Sequence, residues 1–136
     1  MGIEVEMILR LLLAAALGAI IGYQRERAGK PAGLRTHILI CVGAALFTIA
    51  SLYFYYEFGT VADPARVAAG IVVGIGFIGA GAIIRRGEGV VEGLTTAATI
   101  WAVAAIGLAA GAGLYLVSAV TAILILIVLF LPHPIR

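Results

Sequence analysis

The chain has 136 residues, of which 63% are hydrophobic and only 12% charged, with a mean hydropathy of +1.17. Soluble domains carry about 25% charged residues, so a water-soluble fold that hides this much apolar surface is excluded. The net charge of +2 does not point to nucleic acid, because the basic residues lie between hydrophobic runs and do not share one polar face.

A membrane span needs roughly 20 apolar residues, and the chain accommodates five. Glu4 and Glu6 precede the first apolar run where a secretory signal would carry cations, so the first segment reads as a permanent span. It is expected over 5–23 and is followed by the polar stretch Gln24-Arg25-Glu26-Arg27-Ala28-Gly29-Lys30-Pro31. The second is expected over 36–56. Its far end, Tyr53-Phe54-Tyr55-Tyr56, has the aromatic character of a headgroup belt. Asp63-Pro64 restarts the chain as N-cap and first helical residue of a third span reaching Ile84, before the basic turn Arg85-Arg86-Gly87. A fourth span begins near Leu94 and stops around Gly111-Ala112-Gly113, and a fifth runs from Leu114 to Leu131, where Pro132 and Pro134 end it.

The expected fold class is therefore an all-α integral membrane protein with five transmembrane helices, forming a single transmembrane domain over 1–136 with no C-terminal cytoplasmic domain. Seven cations, Arg25, Arg27, Lys30, Arg35, Arg85, Arg86 and Arg136, fall on one face, against Arg10 and Arg66 on the other. Cations are retained in the cytoplasm, so the N-terminus is expected outside and the C-terminus inside. An internal repeat is also expected. Gly18-Ala19-Ile20-Ile21 and Gly81-Ala82-Ile83-Ile84 each precede a basic turn, followed by Gly33-Leu34-Arg35-Thr36 and Gly93-Leu94-Thr95-Thr96. Spans one and two then match three and four in parallel orientation; convergent small-residue packing is the alternative.

Gly74-Ile75-Gly76-Phe77-Ile78-Gly79 fits a dinucleotide fingerprint, but it lacks the strand, helix and acidic residue that the fingerprint requires. The glycine pairs Gly18 with Gly22, Gly70 with Gly74 and Gly107 with Gly111 have the small-xxx-small spacing that lets helix backbones approach closely. A homo-oligomer, a dimer first, is expected, because the glycine-spaced faces outnumber those a five-helix monomer readily buries; packing within one chain is the alternative for each pair. Thr95, Thr96 and Thr99 can cap the fourth helix or bond back to a carbonyl one turn earlier. Cys41 reads as a small core residue and His37 as a hydrogen-bonded structural histidine. Two histidines and one cysteine assemble no Ser-His-Asp, Cys-His or zinc arrangement, so an enzyme is not expected.

Arg25, Glu26 and Arg35 sit at the hydrocarbon edge, where a charge usually finds a partner; Glu26 with Arg35 is the expected ion pair. Spans two and four both start on the basic side, so their N-terminal N–H groups point there. Arg25, Arg35, Thr36, Thr95 and Thr96 are expected to line a pocket for a phosphate, nucleotide or lipid headgroup, with Glu26 and Glu92 at its edge. The alternative is interfacial arginines paired with these two acids and ordinary lipid. No acid lies deep in a span, so Mg²⁺ would enter such a pocket only as a companion to a phosphate.

Leu12 to Gly22, Arg25, Ala32-Gly33-Leu34-Arg35-Thr36, Asp63-Pro64-Ala65-Arg66, Gly74 to Gly81 and Gly93-Leu94-Thr95-Thr96-Ala97-Ala98 together resemble the MgtC/SapB family of bacterial membrane proteins. The resemblance implies a multi-pass inner-membrane protein associated with magnesium homeostasis, either a Mg²⁺ transporter or channel or a non-transporting regulator. The regulator would bind another membrane protein such as the F-type ATP synthase. No nucleic-acid partner and no resident cofactor are implied. The sequence departs from the family pattern at Gln24, where Glu is usual, and at Gly70, where Gln is common. It also stops after the fifth span, where many relatives continue into a soluble domain.

Overall fold

The computed structural model describes residues 2–85 and 91–132. Arg86, Gly87, Pro134 and Arg136, used above for topology and span ends, lie outside the described residues. Five helices follow one another: α1 (Ile3–Arg27), α2 (Leu34–Phe58), α3 (Pro64–Gly81), α4 (Leu94–Gly111) and α5 (Tyr115–Leu129). A 3₁₀ turn at Gly59–Val61 joins α2 to α3, and two short antiparallel strands, β1 (Ile84–Arg85) and β2 (Val91–Glu92), join α3 to α4. The first four helices are long enough and apolar enough to cross a membrane. α5 has 15 residues, about 22 Å at 1.5 Å per residue, and apolar Phe130 and Leu131 extend its surface.

Two boundaries differ from the sequence expectation. α1 continues through Arg27, because Arg25 and Arg27 complement the negative end of its dipole. The break falls at Ala28 and at Gly29, whose φ is +73°. α3 ends at Gly81, three residues early. Gly76, Gly79 and Gly81 weaken its last turns, and the β-branched Ile84 pairs opposite Glu92 in the hairpin. After the matching Gly-Ala-Ile-Ile segments the two halves of the expected repeat therefore part: α1 stays helical for six residues beyond Ile21, whereas α3 has already ended. The second segments remain alike, since α2 and α4 both begin at the Leu that follows a Gly.

α4 is the central helix. It touches all four others, with α3 packed on α2 and α4 and α5 packed on α1 and α4. Half of α4's apolar span is buried, against 6% of α3's, so α3 is a peripheral helix held along one edge. The main core joins Ala14, Leu17 and Ile21 of α1 to Cys41, Ala45, Val103, Ile106, Ala110 and Ala122. Lipid tails are as apolar as these side chains, so close van der Waals contact drives such packing more than removal from water.

That contact depends on four of the six spaced glycines. A Cβ on Gly18 would lie 2.8 Å from the His37 carbonyl oxygen, one on Gly22 2.9 Å from Leu34 Cα, and one on Gly111 2.5 Å from the Ala45 carbonyl oxygen. At Gly107 it would meet the Cys41 carbonyl. These pairs are intrachain seams, α1 against α2 and α4 against α2. Gly70 and Gly74 differ: nothing lies within 4 Å of a Cβ at either, and both border an apolar recess of about 540 Å³ between α2 and α3.

The helix ends follow elementary capping rules. Asp63 Oδ1 accepts the Ala65 N–H at 3.0 Å with Pro64 in the first position, as the sequence indicated. At the same end of the bundle Arg10 donates to the Gly111 carbonyl at 3.0 Å and lies 3.3 Å from Glu6, satisfying the negative terminus of α4.

Candidate functional site

The opposite end of the bundle collects the polar groups singled out in the sequence. Gly18, Ile21, Gly22 and Arg25 share one face of α1, so the tight α1–α2 seam carries Arg25 inward at its last turn. Its side chain is 3% exposed, and its Nη2 donates to Thr96 Oγ1 at 2.9 Å in the first turn of α4. The Arg25 Nε–H is buried without a hydrogen-bond partner. Arg27, two residues on, points outward onto the Tyr23 ring and hydroxyl.

Glu26 does not pair with Arg35. Its Oε1 accepts the Leu34 N–H at 3.1 Å and so caps α2, and a Cβ on Gly33 would lie 2.5 Å from that oxygen. The carboxylate is held at the start of α2 by the backbone N–H of Leu34, while Arg35, the next residue, is exposed. Arg10 and Glu6, at the opposite end of the bundle, do form an ion pair. Replacing Glu26 with Ala is expected to cost about 1 kcal/mol through the lost cap, read as a lower melting temperature of the purified protein.

His37 is wholly buried. Its Nδ1 lies 2.8 Å from the Gly33 carbonyl, which can only accept, so Nδ1 carries the proton; Nε2 is left buried without a partner. The expected structural histidine is thus half satisfied. The Arg25 guanidinium lies within electrostatic range of this ring. Gln24 Oε1 is also buried without a partner. Sequence reading missed all three orphan atoms at this end, although the phase of Gly18, Gly22 and Arg25 on one helix is a signal that could have separated Arg25 from Arg27.

The remaining expected site residues stand at the rim. Arg35 and Thr95 are exposed, Thr36 is half-buried, and Glu92 is exposed on β2. Thr95 gives its carbonyl to the Thr99 hydroxyl at 2.7 Å. Thr48, Ser51, Ser118 and Thr121 bond back to their own helices in the same way. Among the described residues no group of three or more His, Cys, Asp or Glu could hold a metal ion.

The MgtC family profile matches residues 11–136. This chain belongs to the MgtC family. It is 47% identical over 94% of its length to the Escherichia coli K12 protein named "Putative magnesium transporter YhiD", and spans 61% of that protein. It is 43% identical over 98% of its length to SapB of Bacillus subtilis, spanning 60% of it, and 48% identical over 78% of its length to MgtC of Salmonella typhimurium LT2, spanning 43% of it. The chain therefore covers less than two thirds of each of these relatives. No solved structure matches it. With the apolar helices, membership of the family makes the chain a multi-pass membrane protein, of a family linked to magnesium.

Proposed function

We propose that this protein serves magnesium homeostasis in the bacterial inner membrane as a non-enzymatic regulator that acts on another membrane protein, and that a single five-helix unit is not a conduit for Mg²⁺. The magnesium link rests on the family and on the name of the E. coli relative. The observation that carries the rest is the chemistry of the interior: the deepest ionic group on the basic side is the cationic Arg25, the buried hydroxyls of Thr48, Ser51, Thr99 and Ser118 are already bonded to carbonyls of their own helices, and that of Thr96 accepts from Arg25. Mg²⁺ takes octahedral oxygen ligands and dehydrates reluctantly. A buried guanidinium repels it by about 4 kcal/mol per unit charge at 4 Å and an effective dielectric of 20. The excess of cations at the basic end, with Arg25, Arg27, Lys30 and Arg35, supports reading that end as cytoplasmic.

A second reading, transport through a pore assembled between copies, is favoured by the open Gly70 and Gly74 face of α3 and by the relative's name. Flux measurements separate the two. Liposomes carrying the purified chain at high density, with a magnesium gradient and a fluorescent indicator inside, are expected to take up Mg²⁺ no faster than protein-free liposomes. Saturable uptake that Gly74→Leu abolishes would replace the regulator with the assembled pore.

A further inference from the structure

We infer that Arg25 and the first turn of α4 form a binding site for a phosphate-class oxyanion at the basic end of the bundle, with His37 as its inner wall. Three independent observations converge there. Arg25 is almost wholly buried, yet its one described partner is the neutral Thr96 hydroxyl, and its Nε–H has none. A guanidinium at this depth is costly unless an anion compensates it, and among the described residues no carboxylate forms an ion pair with it.

The second observation concerns the helix that Arg25 reaches. The N–H groups in the first turn of any helix lack intrahelical acceptors. In α2 and α3 a carboxylate takes one of them, Glu26 on Leu34 and Asp63 on Ala65. α4 starts at Gly93 with no side-chain cap, and the Arg25 guanidinium is fixed on that turn through Thr96. Donors of the helix end and of the guanidinium therefore converge, with the positive end of an 18-residue helix behind them.

The third is the chemistry of the wall. With Nδ1 carrying the proton, His37 Nε2 is a buried, unpartnered acceptor within electrostatic range of this cation, and it can take a hydrogen bond from the P–OH of a hydrogen phosphate. The exposed cations Arg27, Lys30 and Arg35 belong to the same basic end of the chain and raise the local anion concentration. Planar guanidinium geometry and a row of backbone N–H groups suit a tetrahedral phosphate. Helix ends mark the headgroup layer, so the phosphate can be that of a lipid headgroup or a free one from the cytoplasm; the chemistry is the same.

The experiment uses the full chain, delipidated in detergent, and three probes: inorganic phosphate, phosphatidylglycerol in mixed micelles, and a phosphate-free glycolipid with matching acyl chains. At about a hundredfold excess over the dissociation constant, a phosphate probe is expected to raise the apparent melting temperature by on the order of 10 °C, and the glycolipid is not. Stabilisation by phosphatidylglycerol alone assigns the lipid source, and stabilisation by inorganic phosphate as well assigns a free anion. Arg25→Gln removes an uncompensated charge, so the probe-free variant is expected to melt no lower than the parent and to lose the response. Arg25→Lys keeps the charge without the planar fork, and is expected to bind at least about tenfold more weakly. The inference is overturned if neither phosphate probe outperforms the glycolipid on the parent chain, or if Arg25→Gln responds as the parent does. Should the Gln variant fail to fold, an affinity for Arg25→Lys equal to the parent's overturns it as well. Failure of this site would leave the flux result standing, and magnesium flux would leave this site standing.

Discussion

Replacing Gly107 with Leu is expected to abolish the folded protein. A Cβ at Gly107 runs into the Cys41 carbonyl and lies 3.0 Å from Ala44 Cβ. Both contacts belong to α2, and the first is backbone, which has no rotamer by which to withdraw. One turn further along α4, Gly111 presses on Ala45 in the same way, so α2 cannot slide aside without losing the second contact. Leu adds four carbons to a space that does not admit one. Overpacking of this kind costs about 3 kcal/mol or more, a large part of the stability of any small protein. The purified variant should show no cooperative melt under conditions where the parent melts.

Gly74→Leu is the control that gives this result meaning. The spacing of Gly70 and Gly74 is the same, but nothing stands within 4 Å of a Cβ at position 74, so the monomer should tolerate the change within about 0.5 kcal/mol. If copies associate through α3, this variant alters the mass measured in bilayers and leaves the melt intact. Equal damage from both substitutions would mean that α3 is packed as closely as α4, against the geometry described above.

The contrast between these two glycines also marks where sequence stops being informative. Span positions, the Asp63-Pro64 restart and the Thr99 back-bond were legible, because each depends on residues within one turn of one another. Small-xxx-small spacing showed that a helix could be approached closely, and this holds at Gly18, Gly22, Gly107 and Gly111. In a water-soluble helix the apolar stripe says which face is covered. Here every face is apolar, so α3, with its four glycines from Gly70 to Gly79, reads like α4 and is nonetheless mostly uncovered. The bond between Arg10 and the α4 terminus, like that between Arg25 and Thr96, joins residues 101 and 71 positions apart and was beyond the reach of local pattern. The hairpin at the end of α3 was missed for a related reason. Its strands are two residues long and carry no alternation to detect.

Gly93→Ala is expected to damage fold and site together, and to do so more than the same change at another left-handed glycine. Gly93 has φ of +90° and ψ of 7°, a region where an L-residue costs about 1–2 kcal/mol. Gly29 has φ of +73° and open space around its missing Cβ, so Gly29→Ala incurs that conformational cost and no other. At Gly93 the added methyl also collides with the Ala82 carbonyl and approaches Ile83 Cα to 3.3 Å. Relief requires the hairpin and the end of α3 to separate from the start of α4. Thr96 lies three residues beyond Gly93, so the same displacement draws its hydroxyl away from Arg25 and loosens the donors proposed to hold phosphate. Melting curves of both alanine variants, with and without the phosphate probe that stabilises the parent, test the link. Gly29→Ala should lose roughly the conformational cost and keep the probe response; Gly93→Ala should lose at least about twice as much stability and most of the response. A Gly93→Ala variant that melts like Gly29→Ala and still responds to the probe would show that the start of α4 does not organise the site.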